Sequence, residues 1–354
     1  MRDASNQSGE HDMTDSCRSL FQPSIQAGPL NSTRRRLLLA LAAAPLSGAL
    51  SLLPRRAFAA ASTSVIEGRN LWLYPGWESL TDDATPACLK AVDLIHQATD
   101  KLTARGIHSV IVIAPLKARA CPENLPDGTA MSAGVASRYA AIRAHGASLG
   151  LQIVDGDGAI AAVDASQEKY IRADYHWSGH SAEAVAARVA KRLMAAGPLK
   201  GTAGAGSRLG KWNEEVRYGD LAALLPPDRK KTVGKDHFIV RTVVASPDLV
   251  DGGPPVVQVV GNSMVQPYLG FPQKLSNAID RPVGLTWTFG DTGPWKTLLN
   301  YVEAPAFKAN PPQAIVWQFN EGQMMNLPSA GGQWDAASVM ADDAFLARLT
   351  KAIA

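Results

Sequence analysis

What this chain of 354 residues lacks narrows its role first. Its body has no surplus charge. Residues 1–59 hold seven of the 35 Lys+Arg and four of the 32 Asp+Glu, which leaves 28 of each sign beyond them. A neutral body offers no basic footprint for nucleic acid, and none is expected as a partner. A spanning run is also missing. The most apolar stretch, Leu37 to Leu53, is interrupted by Pro45 and Gly48 and falls short of the roughly 20 residues a membrane helix needs. Cysteine is scarce, with Cys17, Cys88 and Cys121 alone. There are no internal repeats and no long low-complexity tracts. "GAGSRLGK" fails as a phosphate loop, because Ala205 takes the first glycine position and Trp212 the Ser/Thr position. With 46% hydrophobic and 19% charged residues, the composition is that of a globular protein with a sizeable core.

The basic surplus belongs to a targeting segment. Thr33-Arg34-Arg35-Arg36-Leu37-Leu38 fits a twin-arginine signal, and Ala57-Phe58-Ala59 fits the small-residue cleavage pattern. The expectation is removal of residues 1–59 near Ala59, which leaves a periplasmic domain of residues 60–354. The alternative is retention of the segment as an inner-membrane anchor facing the periplasm. Export would leave Cys88 and Cys121 in an oxidising compartment. A helix over Pro86–Arg105 followed by a strand over His108–Ala114 puts both at one end of the sheet, which predicts a Cys88–Cys121 disulfide worth about 3–4 kcal/mol.

Short apolar strands alternate with helical runs in the body. Helix Gly134–Leu149 and strand Leu151–Val154 follow the first pair. "SAEAVAARVAKRLMAAG" is helical, and "PPVVQVVGNS", "VGLTWTF" and "PPQAIVWQF" contain further strands. This alternation predicts an α/β fold with a mostly parallel sheet flanked by helices. The loop-rich stretch 197–255 breaks the rhythm and reads as an insertion over the sheet edge.

Two strand-to-helix junctions carry chemistry. Gly261-Asn262-Ser263 follows an apolar strand, where open α/β sheets bind ligands beyond their carboxyl ends. Ser263 is a nucleophile with a helix N-terminus beside it, or else an N-cap serine, which has the same sequence appearance. Asp174 and His176 stand two apart before Ser178, a plausible N-cap. They suit an acid that orients an imidazole base, or a solvated turn. Tyr175, Trp177 and Trp295 are candidate sugar-stacking aromatics. A metal reading has His176 and His180 at i and i+4 with Asp174 nearby, but no second ligand cluster supports it, and neither metal nor cofactor is expected. Asp155–Gly158, "DGDG", reads as a turn rather than a calcium loop.

Together these patterns resemble the alginate O-acetyltransferase AlgJ/AlgX family of SGNH-hydrolase-like proteins. "GRNLWLYPG", "IVIAPLKARACPENLP", "DYHWSGHSAEAVA", "YGDLAALLP", "GNSM" and "GPWKTLLNYVEAPAFKANPPQAIVWQFNEGQ" follow in the family's order over roughly residues 65–327. The resemblance implies Ser263 as nucleophile, His176 as general base and Asp174 as orienting acid. It implies acetyl transfer to a hydroxyl of an exported polysaccharide, alginate or a similar one. A membrane-bound acyltransferase would supply the acetyl group, within an exopolysaccharide export complex. A carbohydrate esterase with the same three residues and a non-catalytic glycan-binding member of the fold remain alternatives. The chain departs from the family pattern at Trp317-Gln318-Phe319-Asn320-Glu321-Gly322, where the family has Trp-Glu-x-x-Glu-Arg, and at His180, where a small residue is common.

Overall fold

The computed structural model describes residues 65–243 and 253–354. The export segment, its cleavage site and Cys17 lie outside the described residues. An antiparallel pair, β1 (Val65–Glu67) and β2 (Leu73–Pro75), comes first. After it come α1 (Thr85–Thr103), β3 (His108–Ala114), α2 (Lys117–Ala120), α3 (Ala133–Ser148), α4 (Gly156–Ala161) and α5 (Gly179–Ala195). The 197–255 stretch supplies β4 (Leu209–Arg217), α6 (Asp220–Ala223), α7 (Pro227–Val233) and β5 (Asp236–Val243). The chain then forms β6 (Val257–Gly261), α8 (Phe271–Ile279), β7 (Val283–Trp287), α9 (Gly293–Val302), α10 (Pro305–Ala309), β8 (Ala314–Asn320) and α11 (Asp342–Ala352).

Four of the strands form the central sheet in the order β3-β8-β6-β7, and every pairing in it is parallel. The last strand therefore slots into the middle. All seven residues of β8 are buried, as expected of a strand with a neighbour on each side and helices on each face. Strand alternation divides the core in two. Val110, Val112, Val259 and Val316 face α5 and α8, while Ile111, Ile113, Val260 and Trp317 face α1, α9 and α11. Helix α1 fits its side because Val92, Ile95, Ala98 and Leu102 recur at helical spacing and all are buried. Leu151–Val154 does not form a full strand. It touches β3 through a single parallel bridge, Ile111 with Ile153.

Two expectations are corrected here. Cys88 and Cys121 are free, buried thiols. They do lie near one end of the sheet, but Cys88 packs in the α1 cluster and Cys121 in the α5 cluster, with the sheet between them. Burial pushes each thiol up to about 12. The β4–β5 ribbon, for its part, lies on the helical layer rather than along a sheet edge. Trp212 of β4 packs on His180 at 4.6 Å, and Arg241 of β5 bonds Glu183 of α5 at 2.6 Å. Among the described residues, no helix is long and apolar enough to cross a membrane.

Candidate active site

Strand β6 ends at Gly261, and Ser263 opens a single 3-10 turn, Ser263–Val265. No α-helix follows directly, since α8 begins only at Phe271. The expected helix N-terminus beside Ser263 is thus reduced to one turn, whose first N–H, that of Ser263, has no intrahelical acceptor. The N-cap role expected as one alternative for Ser263 falls to Asn262. Its side chain accepts the Met264 N–H at 3.0 Å and caps the turn, which frees the Ser263 hydroxyl. Gly261 is needed for space. A Cβ there would stand 2.7 Å from Gln318 Oε1, the atom that accepts the Asn262 N–H at 3.0 Å.

The second loop, residues 171–176, is a tight return closed by the Ile171 N–H on the His176 carbonyl at 3.1 Å. Asp174 Oδ1 accepts both the backbone N–H of His176 at 2.8 Å and its Nδ1 at 2.6 Å. The far ring nitrogen, Nε2, lies 2.7 Å from Ser263 Oγ. Three elements hold the loop in place. Lys117 of α2 donates to the carbonyls of Ile171, Arg172 and Asp174 at 2.7, 2.7 and 2.9 Å. Asp236 accepts the Ala173 N–H at 2.5 Å. The Asp220 N–H, at the start of α6, donates to Asp174 Oδ2 at 2.8 Å. After the loop, Ser178 caps α5 as expected, accepting the Ser181 N–H at 3.2 Å.

Burial works against ionising Asp174, but the His176 ring and the backbone N–H donors outweigh it and hold the carboxyl below its usual range. Burial likewise disfavours a charged His176, yet the Asp174 carboxylate wins and raises the ring above its usual 6.5. This arrangement fixes the proton on Nδ1 and leaves Nε2 basic toward Ser263. Burial draws the Lys117 ammonium down to about 7. Three carbonyl acceptors and the Trp72 ring at 5.0 Å pull the other way, because a neutral amine has only two N–H groups to offer them.

The altered segment after Trp317 bridges the two loops. Gln318 accepts from the Asn262 N–H and donates to Asn320 Oδ1 at 2.8 Å, and Asn320 donates to the Tyr175 hydroxyl at 2.6 Å. Glu321 is fully buried. It accepts from the Leu116 N–H and from Arg119 and Arg138, at 2.8 to 3.2 Å. The two arginines come from elsewhere in the chain and anchor the acid.

The structure therefore gathers Asp174, His176 and Ser263, with Tyr175 at the rim. It separates the other two aromatics from the cleft. Trp177 is a buried strut whose Nε1 donates to the Met264 carbonyl at 2.8 Å and ties the two loops together. Trp295 sits in the core on the α1 side of the sheet. His180 turns to Trp212, away from Asp174, and Asp155 caps α4 through the Gly158 N–H at 3.0 Å. Sequence reasoning gave no role to Asp220 or Lys117 and noted Gln318 only as a departure from the family pattern. Only the last left a local signal, a polar side chain inside the apolar run of β8.

The model of the SGNH hydrolase-like domain of the acetyltransferase AlgX matches residues 65–321, a span that contains all three clustered side chains. The chain belongs to this family. It is 28% identical over 273 residues to the probable alginate O-acetylase AlgJ of Pseudomonas fluorescens, covering 73% of this chain and 67% of that protein. It is 25% identical over 291 residues to the AlgJ of Pseudomonas aeruginosa, covering 77% and 73%. The solved O-acetyltransferase domain of Pseudomonas putida AlgJ superposes with a TM-score of 0.68 at 26% identity, over 81% of this chain and 99% of that one. Pseudomonas aeruginosa AlgX, at 20% identity and a TM-score of 0.55 over 75% and 67%, shares the fold.

Proposed function

We propose that this AlgX-type domain is a polysaccharide O-acetyltransferase that works through an acetyl-serine on Ser263. The observation that carries the reading is the unbroken line of contacts from Asp174 Oδ1 through the His176 ring to Ser263 Oγ, at 2.6 and 2.7 Å. His176 Nε2 takes the Ser263 proton as Oγ attacks the donor carbonyl. The Ser263 N–H receives the oxyanion, a contribution of about 3–4 kcal/mol for one such donor. His176 then returns the proton to the leaving group, and the acetyl group stays on Oγ. In the second half, a sugar hydroxyl gives its proton to His176 and attacks the acyl carbon, and Ser263 recovers its hydrogen. Asp174 keeps the ring in the productive tautomer throughout.

The names of the relatives support a polysaccharide acceptor; a periplasmic site of action and acetyl supply by a membrane-bound acyltransferase belong to the same proposal. Incubation with an activated acetate ester tests the chemistry. A gain of one acetyl group in the intact mass is expected for the wild type and not for Ser263→Ala. An equal gain in the variant refutes the assignment. Product analysis with and without a glycan separates transfer from ester hydrolysis, since both pass through the same acetyl-serine.

A further inference from the structure

One cation beside the Asp174–His176 pair has no settled partner. Arg217 closes β4, and its guanidinium carbon lies 4.1 Å from the centre of the Phe238 ring and 4.9 Å from that of Tyr268. Phe238 is fully buried, and Tyr268 belongs to the single turn Pro267–Leu269, just after the Ser263 turn. The two rings hold the guanidinium plane in place, so little side-chain freedom is left to lose on binding. The acid Glu215, two residues back on the strand, stands 3.6 Å from Nε, too far for a hydrogen bond. Nε is buried without a partner, while 42% of the side chain stays open to solvent. A buried N–H with nothing to bond costs free energy until an acceptor reaches it.

The Arg217 charge is felt at the site. Burial works against the cation, but Tyr268, Asp174 and Glu215 outweigh it and hold the group above its ordinary range. The cation in turn opposes charge on His176 and favours it on Asp220. Neighbouring cations are already engaged, Lys117 by three carbonyls, Arg119 by Glu321 and Arg241 by Glu183. Asp220, three residues after Arg217, presents a carboxylate that is 66% exposed, with Oδ2 3.6 Å from His176 Nδ1. The 197–255 stretch therefore sets one cation and one anion beside the His176 ring. A guanidinium fork takes a carboxylate in two parallel bonds, whereas the Asp220 carboxylate accepts sugar hydroxyls and repels a second acid. Such a pair admits an acidic sugar ring in one orientation, its carboxylate toward Arg217.

We propose that Arg217 is a specificity-determining residue for the acceptor: it binds the carboxylate of a uronic-acid ring and so brings a hydroxyl of the glycan within reach of His176 Nε2. This rests on the acetyl-serine reading above and names the residue that selects its substrate. The test supplies 4-nitrophenyl acetate as donor to wild type, Arg217→Ala and Arg217→Lys. The acceptors are β-1,4-linked oligomannuronate and the neutral manno-oligosaccharide of equal length, which differs only in carrying a hydroxymethyl group for each carboxylate. In the wild type, kcat/KM should favour the uronate, and added salt should erode that preference. Arg217→Ala should raise the KM for the uronate about tenfold and that for the neutral chain by no more than about twofold. Arg217→Lys, which keeps the charge without the fork, should recover part of the preference. An unchanged uronate-to-neutral ratio in Arg217→Ala, or equal losses on both acceptors, overturns the proposal. So does a wild type that forms the acetyl-serine but transfers no better to the uronate than to the neutral chain. Absence of any acetyl-serine in the wild type removes the underlying reading as well.

Discussion

Replacement of Asp174 by asparagine probes the site most sharply, because each carboxylate oxygen has a fixed task. Oδ1 accepts two N–H groups of His176, and Oδ2 accepts the Asp220 N–H. A carboxamide keeps one acceptor and gains two donors. With its oxygen toward His176, its amino group confronts the Asp220 N–H. That part-buried donor then loses its acceptor, at about 1 kcal/mol of stability or less. With its oxygen toward Asp220, the amino group faces the His176 ring, which can then only accept at Nδ1. The ring proton moves to Nε2, where it points at Ser263, and the base is lost. A comparable change of tautomer costs on the order of 10^4-fold in kcat. The assay is the rate of acetyl-serine formation from an activated ester, followed across pH. His176 acts as a base only when neutral, so the wild-type rate climbs with pH through a midpoint above 6.5, the direction in which Asp174 shifts the ring. Asp174→Asn removes the charge that raises it, so the residual activity should rise at lower pH. The pairing also adds stability below 6.5 that fades as pH climbs through the raised value. A variant within tenfold of wild type, with the same midpoint, would refute the role assigned to Asp174.

Lys117→Met removes the donor to three carbonyls of the 171–176 loop. It should cost about 3 kcal/mol or more and lower the melting temperature by several degrees, read by calorimetry at pH 6; an unchanged transition would count against the clamp. Glu78 is raised to about 8 by burial, with the nearby Glu321 carboxylate adding to it. A raised acid makes the folded state lose stability as pH climbs from 4.5 toward 8, so Glu78→Gln should flatten that decline by up to a few kcal/mol in urea melts at pH 5 and 9. Equal slopes in the two proteins would remove this account. Gly261→Ala drives a methyl group against Gln318 and, at 3.0 Å, against Val265. A loss of about 1–3 kcal/mol is expected in urea melts, with slower acetyl-serine formation by stopped-flow absorbance, as the Asn262 N–H loses its acceptor. Wild-type values of both would show the packing to be slack.

What the amino-acid order determined alone is what depends on near neighbours. Helix α1 follows from apolar spacing, β3 from an unbroken branched run, and the start of α5 from Ser178, each through contacts within a few residues. Asp174 and His176 meet because an acid two residues before an imidazole can bond both its backbone and its ring. Ser263 lies at the cleft because it follows an apolar strand of an α/β sheet. The tertiary structure decided everything that turns on the face of the sheet or on distant segments. β8, among the last elements in the chain, inserts between β3 and β6, and no local pattern encodes that order. The face each residue occupies then follows, and with it the separation of Cys88 from Cys121 and the burial of Trp177 and Trp295. Asp220 and Lys117 reach the 171–176 loop across 46 and 57 residues of chain. Hydrogen bonds and burial act over a few ångströms in space, while sequence patterns report only the few ångströms that the backbone itself spans.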